Sequence, residues 1–152
     1  MSSEISIVHG DINNLNDIQG LWEELNQLHL DKSIDFKQYF RDLTFDSRKG
    51  PLVNSAEKGK LLVVIAYHNG NKIGYCVSDV VDGIGEVQSI YIKPDYRSSH
   101  IGNTLIRESL DWIKSWGAER IIVKVSVGNE EVFGFYAKCG FAPRFAELQF
   151  IP

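Results

Sequence analysis

From Val87 to Trp116 the chain passes from a strand-like apolar run into a helix-like run through one short polar turn, and this passage limits the folds open to it. The strand portion ends at Ile92 and is closed by Lys93-Pro94-Asp95. The turn and the start of the helix read Tyr96-Arg97-Ser98-Ser99-His100-Ile101-Gly102-Asn103-Thr104-Leu105. In the helical run Ile101, Leu105, Trp112 and Trp116 form one row, with Ile106, Leu110 and Ile113 beside it, and Gly117 ends it. The first N–H groups of a helix have no intrahelical acceptor, and the helix dipole favours negative charge beside them. With a basic residue in the turn, the arrangement suits a phosphate or pyrophosphate. Arg120 to Val127 is β-branched and apolar, another strand, so this half reads strand–helix–strand, a right-handed parallel crossover.

The first half is organised differently. Ile5 to Val8 reads as a short strand, and Asp11 to Asn16 offers helix caps. Leu15, Ile18, Leu21, Trp22, Leu25 and Leu28 recur at helical spacing. A weaker helix is expected from Phe36 to Leu43. Asp46 to Lys60, rich in Ser, Lys, Gly, Pro and Asn, reads as a mobile loop. Leu61 to Tyr67, Ile73 to Val81 and Glu86 to Ile92 form three strands. Asn69-Gly70 and Asp82-Gly83 join them as hairpin turns. After the crossover, Asn129 is placed to cap a last helix with Glu130 and Glu131 in its first turn. Val132, Phe135, Tyr136 and Cys139 share one face of that helix, and Gly140 stops it. Arg144 to Ile151 is expected to close the sheet.

Composition excludes several classes. The 152 residues carry a net charge of -4, so a broad nucleic-acid face is not expected. They read as one domain spanning 1–152. Met1-Ser2-Ser3-Glu4 lacks the basic and apolar regions of a signal peptide, and no apolar run reaches membrane-spanning length. The expectation is a cytoplasmic protein with no membrane partner. Cys76 and Cys139 read as free thiols in a reducing compartment. His9, His29, His68 and His100 show no metal-ligand spacing with them, so no metal is expected.

The order strand, two helices, three-strand meander, helix, strand, helix, strand resembles the GNAT superfamily of N-acetyltransferases, and two motifs agree with it. The family's cofactor motif, R/Q-x-x-G-x-G/A, is matched by Arg97-Ser98-Ser99-His100-Ile101-Gly102, after a lead-in Ile90-Tyr91-Ile92-Lys93-Pro94-Asp95-Tyr96. The second motif, an Asn followed seven residues later by Tyr and then Gly-Phe, is matched by Asn129, Tyr136 and Gly140-Phe141. Two departures stand out. His100 replaces the first Gly, where a residue without Cβ lets the backbone choose φ freely. Its imidazole offers a possible further donor to a phosphate. The family usually closes with a strand hairpin, and here Phe141 to Pro152 leaves room for one strand and a stub. A second copy of the chain could fill that edge, which makes a homodimer an expectation.

The resemblance implies an α/β fold with a mixed, mostly antiparallel twisted sheet, a parallel crossover from the fourth to the fifth strand, and helices on both faces. It implies acetyl transfer from acetyl-CoA to a primary amine, small molecule or peptide, by direct attack. The pyrophosphate would rest on backbone N–H groups from Arg97 to Asn103. Arg97 and the Ser98, Ser99 and Thr104 hydroxyls would lie near, as would His100, Ile101 and Gly102. Ile90, Tyr91 and Ile92 would polarise the thioester carbonyl from a strand that a bulge splays from its neighbour. Tyr136 would be the acid to the leaving thiolate, since a phenol near pKa 10 can donate as the C–S bond breaks. Glu86, at the start of the fourth strand, would be the base, directly or through water, with Gln88 lining the same cleft. Asn129 would add a cofactor contact. His29, Asp31 and Asp35 fall where the family's helix-connecting loop lines the acceptor pocket. An acyl-CoA sensor without turnover is the alternative of the same fold. A nucleotide-binding regulatory domain fits less well, because a Rossmann unit would open strand–turn–helix near the N-terminus.

Overall fold

The computed structural model describes residues 4–152, so the reading of Met1-Ser2-Ser3 lies outside the described residues. Five strands make one sheet in chain order: β1 Ile5–Gly10, β2 Lys60–His68, β3 Asn71–Val81, β4 Ile84–Ile92 and β5 Arg120–Val123. The first three pairings are antiparallel and β4–β5 is parallel. Both hairpin turns follow from sequence. Asn69 and Gly70 take φ of 50° and 84°, and Asp82 and Gly83 take 51° and 78°. Two successive left-handed residues match the right-handed twist of the flanking strands, and Asn, Asp and Gly tolerate that conformation best.

Helices cover both faces. On one face lie α1 Gln19–Lys32, α2 Lys37–Asp42 and α3 Phe45–Lys58. There Leu15, Ile18, Leu21, Trp22, Phe45 and Leu52 pack against Val63, Ile65, Tyr75, Val77 and Tyr91. On the other face lie α4 Ile101–Ser115 and α5 Phe133–Lys138. There Leu105, Ile106, Ile113 and Tyr136 pack against Leu62, Val64, Cys76 and Val87. The expected α4 rows supply this core, except that Trp116, just past the helix end, is half exposed. α4 approaches β4 closely: a Cβ on Gly85 would meet Ile113 Cγ2 at 2.2 Å.

Four expectations from sequence are corrected. The segment 46–60, read as a mobile loop, is helical over α3. Thr44 accepts from the Ser47 N–H and Ser47 returns a bond to Thr44, a reciprocal cap that starts the helix. Phe45, Leu52, Val53 and Ala56 then share one stripe against the sheet, which outweighs the weak propensities of Gly50 and Pro51. Helix α1 runs through Lys32, so His29 and Asp31 lie on it rather than in a loop, and Asp35 alone of the three is in the connection. Strand β5 stops at Val123 instead of Val127. Finally, 144–151 forms no strand: Phe145, Leu148 and Phe150 are largely exposed. A four-residue β5 offers little edge to pair with, and Pro143 supplies no N–H donor. Among the described residues no helix is long and apolar enough to cross a membrane.

The helical state of α3 is testable. Leu52→Ala should cost about 2–5 kcal/mol of unfolding free energy. Thr44→Ala should cost about 1 kcal/mol. Denaturant unfolding curves indistinguishable from wild type for both would return this segment to a loop.

Candidate functional site

The turn between β4 and α4 is built by local hydrogen bonds. Pro94–Tyr96 forms a single 3-10 turn, and Tyr96 O accepts from the Ser99 N–H at 3.3 Å and from Ser99 Oγ at 2.6 Å. His100 O accepts from the Thr104 N–H and Oγ1 at 3.1 and 3.2 Å. Among the described residues the N–H groups of Ser98, His100, Ile101, Gly102 and Asn103 find no protein acceptor. They lie together at the positive end of a 15-residue helix. Arg97 Nε donates to Ile92 O at 2.9 Å and its guanidinium lies 5.4 Å from the Tyr91 ring centre. Arg97 thus ties the turn to the end of β4 and brings a positive charge to it.

His100 occupies the left-handed region, φ 65° and ψ 10°. This is the conformation for which Gly is the least costly residue, so the position makes the demand that the usual Gly meets. A Cβ on Gly102 would touch the Phe135 ring at 3.4 Å, so its absence keeps the space between the α4 first turn and α5 open.

Beside this turn the sheet parts. β4 and β5 are paired from Ile84↔Arg120 to Val87↔Val123 and no further, while β4 runs on to Ile92. On its other side β4 stays paired with β3 to Ile92↔Gly74, but the register jumps: Ser78 faces Val87 and Val77 faces Ser89. Gln88 is therefore the extra residue of a bulge. A bulge bends its strand and frees backbone groups from the ladder. Ile90, Tyr91 and Ile92 lie beyond it. Ile90 and Ile92 face the α4–α5 core and Tyr91 faces α1.

Tyr136 reaches this region from α5. It is 8% exposed, packed edge-on to Phe135 and Phe141, and its hydroxyl has no hydrogen-bond partner among the described residues. Burial pushes its pKa up, with Cys76 and Cys139 adding to the rise. Cys76 lies across the ladder from Ile90, so the phenol sits near the level of the diverging strand. Burial also raises the Cys76 thiol to about 11, and burial raises that of Cys139. Neither is a ready thiolate.

Under α3 the opposite face carries a polar cluster. Glu86 and Asp79 stand directly across the β3–β4 ladder. Gln88 Nε2 donates to Asp79 Oδ2 at 2.9 Å, and Arg48 Nη2 donates to both Gln88 O and Gln88 Oε1 at 2.9 and 3.0 Å. Burial raises the pKa of Asp79, opposed by Ser55, Gln88 and the cations Arg48 and Lys124. Burial also raises Glu86, with Lys124 at 3.8 Å pulling it back and Asp79 pushing it further up. A carboxylate whose pKa burial raises, next to the divergence, is suited to take a proton.

The structure thus gathers Arg97 to Thr104 into one turn and sets Ile90 to Ile92, Glu86 and Tyr136 around the parting of β4 and β5. Asn129 is not the expected cap. Its side chain makes no capping bond, and its Oδ1 instead accepts from Lys32 Nζ at 3.3 Å. Glu130 folds back onto the Gly128 N–H, and the helix opens as a 3-10 turn. Asp31 is held by Gln27 on the outer side of α1, and His29 packs on Phe40. Arg48 and Asp79 were missed. Arg48 lay in the presumed loop, and a lone Asp within an apolar strand was the signal for a buried partner.

A family model described as the acetyltransferase (GNAT) family matches residues 21–141. A Bacillus subtilis (strain 168) protein provisionally named a [ribosomal protein bS18]-alanine N-acetyltransferase is 35% identical over 75 residues, 49% of this chain and 50% of its own. The spermidine N(1)-acetyltransferase of Thermoplasma acidophilum is 29% identical over 90 residues, 59% of this chain and 56% of its own. The chain spans about half the length of these relatives. Among solved structures, the PaiA N-acetyltransferase of Thermoplasma acidophilum in complex with coenzyme A superposes with a TM-score of 0.75 at 22% identity, covering 95% of this chain and 93% of its own. An aminoglycoside N-acetyltransferase in complex with CoA gives 0.72 at 16% identity, covering 100% and 97%.

Two variants test this geometry through stability. His100→Gly should raise the unfolding free energy by about 1 kcal/mol by removing a left-handed L-residue, and His100→Val should lower it. The opposite order would mean that the turn does not need a left-handed residue. For Asp79 and Glu86 the native state holds protons more tightly than the unfolded chain, whose ordinary values are 3.8 and 4.5. Their stabilising contribution is complete below those values and is lost as pH rises through the lifted ones. Wild type should therefore lose stability relative to Asp79→Asn as pH rises from the ordinary Asp value of 3.8 through the raised one. Parallel pH profiles would show Asp79 unperturbed.

Proposed function

The chain belongs to the acetyltransferase (GNAT) family, and from that premise we propose that it moves the acetyl group of acetyl-CoA to a primary amine by direct attack. The observation that carries this reading is the parting of β4 from β5 after Val87↔Val123, beside a turn with five free N–H groups. The turn suits a pyrophosphate: its five N–H groups without protein acceptors lie within one turn, its helix dipole is favourable, and Arg97 adds charge. The gap beyond Val87 fits an extended pantetheine arm lying as a pseudo-strand. When bound, acetyl-CoA supplies an activated thioester carbonyl.

The chain's own residues do the rest. Backbone N–H groups of the Ile90 to Ile92 stretch on the edge of β4 that faces the opening, where β5 has ended, polarise that carbonyl. Glu86 takes a proton from the incoming ammonium, whose pKa near 10 leaves little free amine at neutral pH. Tyr136 stabilises the departing sulfur. Its raised pKa keeps the phenol protonated throughout the physiological range, and against a thiol near 8.5 it acts as a hydrogen-bond donor more readily than as a full proton donor. Cys76 and Cys139 are too weakly acidic to serve as acyl carriers, which favours direct attack. The acceptor class is a cationic primary amine, consistent with the paired carboxyls of Asp79 and Glu86 beneath α3.

The test is free-thiol release from acetyl-CoA with a panel of polyamines, aminoglycosides and peptide N-termini. Amine-dependent release is expected. Tight acetyl-CoA binding with no release against any amine would point to a sensor instead. Tyr136→Phe should lower kcat about ten- to hundredfold with acetyl-CoA binding nearly intact. Glu86→Gln should lower kcat most near neutrality, the gap closing as pH approaches the amine's own pKa. Unchanged turnover in either variant removes that residue from the reaction.

A further inference from the structure

Gln88, the extra residue of the β4 bulge, is held from two sides. Arg48 of α3 places one guanidinium nitrogen on both its main-chain and its side-chain carbonyl, at 2.9 and 3.0 Å. Asp79 of β3 accepts from its amide nitrogen at 2.9 Å and is itself 3% exposed. A main-chain carbonyl displaced from the ladder by a bulge needs a donor if it is to stay out of water. A charged donor makes such a bond about twice as strong as a neutral one. Arg48 comes from the stripe of α3 that faces the sheet, three residues after Phe45 and four before Leu52, both buried, so helix packing fixes where it points. The clamp acts where the last β5 partner, Val123, is lost: Val87 is the residue before Gln88.

We propose that Arg48 is a positioning residue for the reaction: by pinning the bulge at Gln88, with Asp79 as its counter-anchor, it aims the backbone of Ile90 to Ile92 at the thioester carbonyl. This rests on the reading that β4 beyond the bulge polarises that carbonyl. Arg48 touches no reacting atom. Its effect is on the angle at which β4 leaves β5, and a small displacement of polarising N–H groups is costly to rate. Helix α3 thereby becomes part of the catalytic frame rather than a cover for the core. Lys replaces Arg48 only partly, because its shorter, more flexible stem does not fix the ammonium on both carbonyls as helix packing and the rigid guanidinium fix Nη2.

The experiment uses wild type, Arg48→Lys, Arg48→Met and Asp79→Asn, each saturated with acetyl-CoA carrying ¹³C at the acetyl carbonyl. Hydrogen bonding to a carbonyl oxygen deshields its carbon, so the resonance reads polarisation directly and is insensitive to a general loss of stability. In wild type the bound resonance should lie downfield of free acetyl-CoA. It should move back toward the free position in Arg48→Met and partway in Arg48→Lys. In parallel kcat should fall about ten- to hundredfold with KM for acetyl-CoA changed less than about threefold. If Arg48→Met does not fold, Arg48→Lys and Asp79→Asn carry the test. A wild-type resonance that is shifted and stays at the same place in the variants overturns the role of Arg48 alone. An unshifted wild-type resonance overturns the polarisation reading and this proposal with it.

Discussion

The structure depends on a backbone problem created at Val87. A parallel strand in the interior of a sheet normally has both edges paired, and β4 gives up one of them halfway along its length. Backbone N–H and C=O groups left dry and unpaired are costly. A sheet that opens in this way needs water, a ligand or a buttress along the open edge. The other features follow from that need. The bulge at Gln88 turns the strand, the β3 ladder continues past it to hold Ile90 to Ile92, and two helical layers keep the opening from collapsing.

The turn at 97–103 stands at one side of that opening, and the two parts depend on one another. Arg97 bonds to the carbonyl of Ile92, the last residue of β4, so this turn and the diverging strand form one unit. His100 takes the left-handed conformation at the start of α4 that the geometry requires. The family resemblance marked His100 as a departure. In three dimensions it is a costlier residue in a left-handed conformation that Gly adopts freely, and the N–H groups around it remain free. Tyr136 is packed among the aromatics Phe135 and Phe141, and among the described residues its hydroxyl takes no protein partner.

Much of this was legible in the sequence because local chemistry and global fold agree there. Asn69-Gly70 and Asp82-Gly83 dictate their turns through φ alone. The rows from Ile101 to Ile113 lie on α4 where their period puts them. What was misread shows where local signals are weak. Ser, Lys, Gly and Pro in 46–60 masked a stripe of just Phe45, Leu52, Val53 and Ala56, and tertiary burial outweighed propensity. With α3 unread, Arg48 could not be placed. The bulge was not legible in the sequence: that Val87 and Ile90 face the same core although three apart, a spacing a regular strand forbids, is visible only in the fold. At the C-terminal end, Arg144 to Ile151 was expected to close the sheet, but a strand forms only where an edge exists to receive it. Asn129 has a capping residue's chemistry, yet Lys32 takes its oxygen.

The central claim is that the opening between β4 and β5 and its adjoining turn hold acetyl-CoA. Thermal unfolding with acetyl-CoA, CoA, NAD and ATP at matched concentrations tests it most directly. A ligand at about a hundred times its dissociation constant adds roughly 2.7 kcal/mol to stability, a readily measured rise in Tm. The account predicts that acetyl-CoA and CoA raise Tm and that NAD and ATP leave it in place. A Tm unmoved by either CoA species, or raised most by a dinucleotide, would contradict it.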